Sequence, residues 1–463
     1  AYTVNSTVTV DDVRLWKVAR NVQQILDYYQ RAYLDVKDRN LVGYWRFDAK
    51  DKELDETPTA NNMILKGDGI NPTWAQGLVY PASNKRILLT ASYSKAFAGN
   101  EVFAGQPRFD RAVIVGTKTD LWRLYGDKIT RIHSMGDDYQ TGQDVLWDYT
   151  TMNNRLILTN GLQYNLKYDN EEGVRQLNFN TPTTPTVAVQ ATTPGLAVGT
   201  YNYIYAYRNS KDGTIGALSA ASADATTSAG NLVIRVTFTN AYYSQCDTVR
   251  VYRRVAAGTY YYLTDRPLTA AAGTFTWDDD ASVTISSSLM PTTKGYAQPH
   301  KYCEVYAGRL WIANSAAYPS GLMYSESTIE GDFPATNLIL VDSDDGDQIT
   351  GLLAAFGGLI VFKQFSIHFL TGEGPTTFNI RKVVKSTGAT NGQSIATGSA
   401  NVYFFAADGL RSMGPDFVPL PIGKAYQDIF KYLDVSKTSF IVGEFYPALM
   451  CYLCSFDVIS GAY

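Results

Sequence analysis

Charge is scarce in this chain. Only 18% of its 463 residues are Asp, Glu, Lys or Arg, the formal net charge is −4, and Lys and Arg never run more than two together. A firm grip on a phosphate backbone needs clustered cations, so tight nucleic-acid binding is not expected. Cysteine is equally sparse: Cys246, Cys303, Cys451 and Cys454 are too few for a disulfide framework. Cys451 and Cys454 make a C-x-x-C, but no second pair or nearby His accompanies it. It reads as two small residues on opposite faces of a strand. His133, His300 and His368 are the only histidines and lie far apart. No H-E-x-x-H, P-loop, G-x-S-x-G or Rossmann glycine string occurs. No enzyme activity, metal or cofactor is therefore expected. No apolar run approaches the length of about 18 residues that spans a bilayer, so no membrane span is expected. The opening Ala-Tyr-Thr-Val and the close just past a strand-like run suggest a processed piece of a longer chain.

What fills the gap is Thr, Ser, Gly and 33 Tyr, with apolar residues at 45%. That mix suits strands and tight turns, and the length suits about three domains. One unit keeps returning from about residue 85. A short apolar run, a polar or glycine turn and a second strand recur at 112–117/121–124, 155–159/162–166, 309–312/321–324, 358–363/366–370 and 401–405/409–413, and 448–453 begins another. The starts 112, 155, 309, 358, 401 and 448 are separated by 43, 154, 49, 43 and 47 residues. Four of the five gaps fit the period of propeller blades. The outlier carries an excess of about 110 residues, the size of one inserted sandwich domain. The insert opens on Thr181-Pro-Thr-Thr-Pro and closes at Pro291-Thr-Thr. Within it, Gly199–Tyr207 alternates aromatic with polar, which predicts a half-buried strand. Asp247–Arg254, Tyr260–Leu263 and Thr274–Asp278 are further strands. Residues 8–56 differ. Val8–Val10, Val13–Leu15 and Leu41–Phe47 predict strands, and Val22, Ile25, Leu26, Tyr29 and Tyr33 recur at helical spacing behind Asn21.

The expected fold is thus all-β: a β-propeller interrupted by an inserted β-sandwich, with a small N-terminal jelly-roll-like segment carrying one short helix. The expected boundaries are 1–80, 81–180, 181–293 and 294–463. Three resemblances sharpen this. D-D-V-R-L-W at 11–16 and N-L-V-G-Y-W-R-F-D at 40–48 resemble the closing and opening strands of laminin-G/concanavalin-like jelly rolls, which sit side by side in that family. V-R-V-Y-R at 249–253 followed by F-T-W-D-D at 275–279 resembles a fibronectin type III-like module common in phage structural proteins. The ordered phrases G-R-L-W (308–311), L-M-Y-S-E (322–326), G-D-F-P (331–334), D-G-D-Q-I-T-G-L (345–352), L-I-V-F-K (359–363) and D-G-L-R (408–411) resemble the propeller of tail-nozzle and tail-hub proteins of short-tailed bacteriophages.

That last resemblance implies a non-enzymatic structural protein of the virion, in the phage tail. It implies a homo-oligomeric ring, hexameric in such proteins, that meets an adaptor and other tail proteins and lets double-stranded DNA pass. Asp342, Asp344, Asp345 and Asp347 are the candidates for an acidic, lumen-facing turn. They do not make an EF-hand, because Gly346 and Leu353 fall where acidic ligands would be needed. The alternative function is a carbohydrate-binding adhesin or receptor-binding module, suggested by the lectin-like N-terminal stretch and the abundant aromatics.

Overall fold

The computed structural model describes the strands at 13–16 and 41–45, several stretches between 89 and 134, and residues 145–459 with short breaks, the longest at 241–245. The helix expected at 22–33 and the strand at 8–10 lie outside the described residues. The chain divides into two units, Ala1–Asp144 and Val145–Tyr463. The division falls inside the expected 81–180 segment. Every described sheet is antiparallel, and the fold is all-β as expected. Among the described residues no helix is long and apolar enough to cross a membrane.

In the first unit, Val13–Trp16 pairs antiparallel with Leu41–Trp45. A four-stranded sheet follows, built from Leu89–Ala96, Phe109–Gly116, Asp120–Tyr125 and Lys128–Ser134 in that spatial order. Ala91, Ile114 and Leu121 are fully buried in it. Gly116 admits no side chain, since a Cβ there would lie 2.7 Å from that of Leu89.

The second unit holds a series of up-and-down sheets. The first comprises Asp148–Met152, Arg155–Thr159, Leu166–Asp169 and Gly173–Gln176. The second comprises His300–Tyr306, Arg309–Ser315, Gly321–Tyr324 and Leu338–Leu340. The third comprises Ile349–Ala355, Gly358–Lys363, Ile367–Thr371 and Asn379–Val384. The fourth comprises Ala396–Thr397, Val402–Ala406, Gly409–Met413 and Pro419–Pro421. A fifth has two strands, Val442–Tyr446 and Cys451–Ser455. The opening hairpins of the first three sheets share one turn: Asn153-Asn154, Ala307-Gly308 and Phe356-Gly357 all have both φ values between 50° and 77°. That is the type I′ signature, whose twist matches that of paired strands.

Neighbouring sheets share apolar cores. Met152 and Ile157 of the first pack with Cys303, Leu310 and Ile312 of the second. Trp311, Leu322 and Tyr324 of the second pack with Leu352, Leu359 and Val361 of the third. Ile360, Phe362 and Phe369 of the third pack with Val402, Phe404 and Met413 of the fourth. Tyr403 of the fourth stacks on Phe445 and Tyr452 of the fifth, at centroid distances of 5.5 and 5.6 Å.

Between the first and second sheets the chain makes two further sheets. One orders Thr186–Gln190, Val233–Asn240 and Gly273–Asp279; the other orders Ala225–Thr227, Gly199–Arg208, Thr248–Val255 and Tyr261–Pro267. They enclose one core, in which Tyr203, Tyr205 and Tyr207 meet Ile234, Val236 and Phe238. The flanking residues Leu177 and Ala297 share the core between the first two sheets, so the inserted segment leaves and returns at one place.

Three expectations are corrected. Gly199–Arg208 is buried on both faces over most of its length, not half-buried. The 219–222 segment runs along its edge, with Ser222 N donating to Tyr203 O and Ser219 N to Tyr205 O, each at 2.9 Å. The strand expected at 162–166 runs instead over Leu166–Asp169, because Asn160-Gly161 turns the chain, with Gly161 at φ 77°. The strand expected at 448–453 begins at Cys451, behind a turn that puts Met450 at φ 51°.

Candidate functional site

Two sets of carboxylates stand out. The first is the turn singled out from sequence. It joins the last strand of the second sheet to the first strand of the third and holds a short 3-10 turn at Ser343–Asp345. Its carboxylates are largely committed to the third sheet. Lys363, with no exposed side-chain surface, donates to Asp345 Oδ1 at 2.6 Å and to the Asp342 carbonyl at 2.9 Å. Lys382 Nζ lies 2.6 Å from Asp342 Oδ2, and this ammonium holds the Asp342 carboxyl below its usual range. Asp347 accepts from the backbone N–H of Gln364 and Phe365 at 3.2 and 2.9 Å. Asp344 accepts only a long bond from Ser343 Oγ, at 3.4 Å. The turn is therefore fastened to one end of the third sheet, with its four carboxylates still outnumbering the two lysines that meet them.

The second set was not legible as a site in the sequence. Three first strands each carry one acid: Asp148, Glu304 and Glu444. Asp148 ties the sheets together. Its Oδ2 accepts from Cys303 N at 2.9 Å, and its Oδ1 accepts from Tyr149 N at 3.0 Å and from Gln393 Nε2 at 3.1 Å. Gln393, which precedes the fourth sheet, also donates to Trp147 O at 2.7 Å. Asn391 beside it donates to Ile441 O at 3.0 Å and Ser439 O at 2.8 Å, at the start of the fifth sheet. One small polar hub thus links the starts of the first, second, fourth and fifth sheets. Burial pushes Asp148 up to about 7, against the pull of its three donors and with Glu304 adding like charge. Burial also raises Glu304, which accepts from Thr150 Oγ1 at 3.5 Å and from Val305 N at 2.9 Å. Glu444 is exposed and reaches the same neighbourhood through its field on Tyr149.

The remaining candidates are structural. His300 is buried with Nδ1 2.5 Å from Gln298 O, and burial brings it down to about 4. His368 is buried against Ser366 and lies 3.9 Å from Asp342. Cys451 and Cys454 sit on opposite faces of their strand, opposite Tyr446 and Gly443, and burial raises the Cys454 thiol to about 11. A thiol at that value is a poor nucleophile and a poor metal ligand at neutral pH.

No known family profile and no curated protein matches the chain. Among solved structures, the chain is similar to the AfRom2 CNH domain at 11% identity and TM-score 0.20, covering 73% of this chain and 88% of that one. It is also similar to the extracellular domain of a putative one-component system from B. thetaiotaomicron at 8% identity and TM-score 0.20, covering 82% of this chain and 65% of that one. Neither likeness carries an argument about fold arrangement or function.

Proposed function

We propose that the chain is a structural protein of a tailed-phage particle, a nozzle or hub component whose copies form a ring around the DNA exit path. In this reading the up-and-down sheets are blades of one β-propeller and the 181–293 segment is a fibronectin type III-like sandwich inserted between two of them. The observation that carries it is the repeat itself. Three successive sheets start with the same type I′ hairpin, neighbouring sheets share cores, and the first strands of the first two sheets meet at the Asp148–Gln393 hub. A propeller stacks sheets face to face with their first strands innermost. The ordered phrases between 308 and 411 then favour a tail component over other propeller proteins.

The mechanism is passive. A wall that carried several cations per copy would release counterions and hold the duplex. In this reading the scarcity of charge, with no run of more than two Lys or Arg, offers no cationic track, so DNA is guided and not gripped. Gold labelling of this chain on intact particles tests the assignment. Label at the tail, below the portal, is the expected result; label confined to the capsid shell, or no label on any particle, rejects it.

A second reading has one observation behind it. The paired strands 13–16 and 41–45 match the juxtaposition found in lectin-like jelly rolls, which favours a carbohydrate-binding adhesin. Specific glycan-array binding that is lost on deleting residues 1–80 would establish that reading.

A further inference from the structure

Asn391 and the 3-10 turn Gly392–Ser394, just ahead of the fourth sheet, touch all five sheets of the second unit. Gln393 holds the first sheet through Asp148 and the Trp147 carbonyl. Gly392 has no room for a side chain, because a Cβ there would lie 2.6 Å from the Tyr302 ring of the second sheet and 3.0 Å from the Thr350 carbonyl oxygen of the third. Ser394 Oγ accepts from Phe405 N of the fourth sheet at 3.3 Å. Asn391 reaches the start of the fifth sheet, and Tyr452 Oη of that sheet donates to the Ser394 carbonyl at 2.5 Å. A change at Asp148 is therefore passed to one short turn on which the whole set of sheets converges.

Asp148 meets a second acid at this junction. Its Oδ2 reaches Cys303 N of the second sheet, and Glu304, the next residue on that strand, reaches back to Thr150 Oγ1. The two carboxyls thus exchange partners between adjoining first strands, and the charge of Glu304 opposes that of Asp148. The groups around them do not offset this. Tyr149 on the same strand, and Tyr302 and Cys303 on the second sheet, are pushed up by burial and stay neutral at neutral pH. Gln393, Gly392 and Thr350 carry no charge. Glu444 of the fifth sheet adds another acid, through its field on Tyr149. The cation beside them, Lys301, places its ammonium 5.4 Å from the centroid of the Tyr302 ring. A carboxyl keeps its three donors in either state, since each oxygen retains a lone pair when one is protonated. What the proton decides is whether two like charges stand together at a junction of low dielectric.

We propose that Asp148 and Glu304 form a proton-operated latch: a proton on Asp148 holds the 391–394 turn against the first two sheets, and its loss loosens that turn. The inference goes beyond the nozzle reading and does not depend on it. Asp148 is held at about 7 in the closed junction and returns toward 3.8 where the turn opens to water. A closed-state value raised in this way makes the latch complete below 3.8, and its hold is lost as pH rises through about 7.

Hydrogen exchange of the full chain over 391–395, read from about pH 5 to 8 and corrected for the intrinsic pH dependence of amide exchange, tests it. The expected result is opening that grows by about tenfold per pH unit up to about pH 7 and then levels, the slope of one proton. Asp148→Asn should remove that slope. Glu304→Gln, which takes away the opposing charge, should move the levelling point to lower pH. Opening of the unaltered chain that does not vary with pH would overturn the proposal. So would a slope that survives in Asp148→Asn, or a levelling point that Glu304→Gln leaves in place. Infrared difference spectra of the unaltered chain give a readout that needs no variant to fold. A protonated-carboxyl band that disappears between about pH 6 and 8, where surface acids are already ionised, is the expected result. No such band in that range would overturn the latch.

Discussion

His300 offers a test of the packing between the first two sheets that needs no knowledge of function. The ring sits at the start of the second sheet, where its backbone N–H donates to Asn165 Oδ1 at 3.0 Å and its carbonyl accepts from Gly161 N at 2.8 Å. Nδ1 faces the Gln298 carbonyl, so it carries the proton of the neutral ring, and a second proton must enter the buried interior. Burial brings the group from 6.5 down to about 4. The unfolded chain takes up that proton near 6.5 and the folded chain only near 4. The contribution is thus complete above 6.5 and is lost as pH falls between those values. The gap corresponds to about 3 kcal/mol. Asp148 slopes the other way. Its raised value means that its contribution is present at low pH and lost as pH rises toward 7. The two slopes oppose each other in one window, so the profile of the unaltered protein alone decides nothing. The difference between it and His300→Gln isolates the histidine. Urea unfolding at pH 4 to 8 should show the His300 protein's advantage shrinking by about 3 kcal/mol from pH 7 to pH 4. Parallel profiles, differing by less than about 1 kcal/mol across the range, would refute the buried neutral ring.

Three further outcomes follow from named contacts. Arg253→Met leaves Asp279, fully buried, with only the Tyr203 hydroxyl at 2.8 Å, and should cost about 3–5 kcal/mol in the 181–293 unfolding transition; the double variant with Asp279→Leu should recover most of this, and an equally unstable double variant would contradict the account. Gln393→Leu removes two donated bonds at the hub and should cost about 1–3 kcal/mol by thermal or urea unfolding with the circular dichroism spectrum unchanged. Ala307→Asn places a residue that tolerates positive φ where alanine sits at 50°, and should stabilise by about 0.5–1 kcal/mol in the same assay.

The legible and the illegible parts of this fold divide by burial. Gly321–Tyr324, Gly358–Lys363 and Gly409–Met413 were readable to the residue, because middle strands are covered on both faces and print as apolar runs. First strands escaped. Val442–Tyr446 alternates and is broken by Gly443 and Glu444, and Asp148–Met152 holds no aliphatic residue except its last. Those are the strands that carry Asp148, Glu304 and Glu444, so the hub was hidden along with them. The 342–347 turn showed the reverse problem. Its acids were conspicuous, but their partners Lys363 and Lys382 lie on other strands, and sequence does not place a cation across a sheet. A lone acid inside an otherwise apolar strand was the signal available, and Glu304 in Tyr-Cys-Glu-Val-Tyr gave it.

The central claim is a ring of identical propeller-bearing copies around an open path. Electron microscopy of the purified chain at high concentration tests it most directly. The account predicts closed rings with a central channel, and with a projecting density that disappears when residues 181–293 are replaced by a short linker. Particles that remain single and channel-free at every concentration, or open chains that never close, would contradict it.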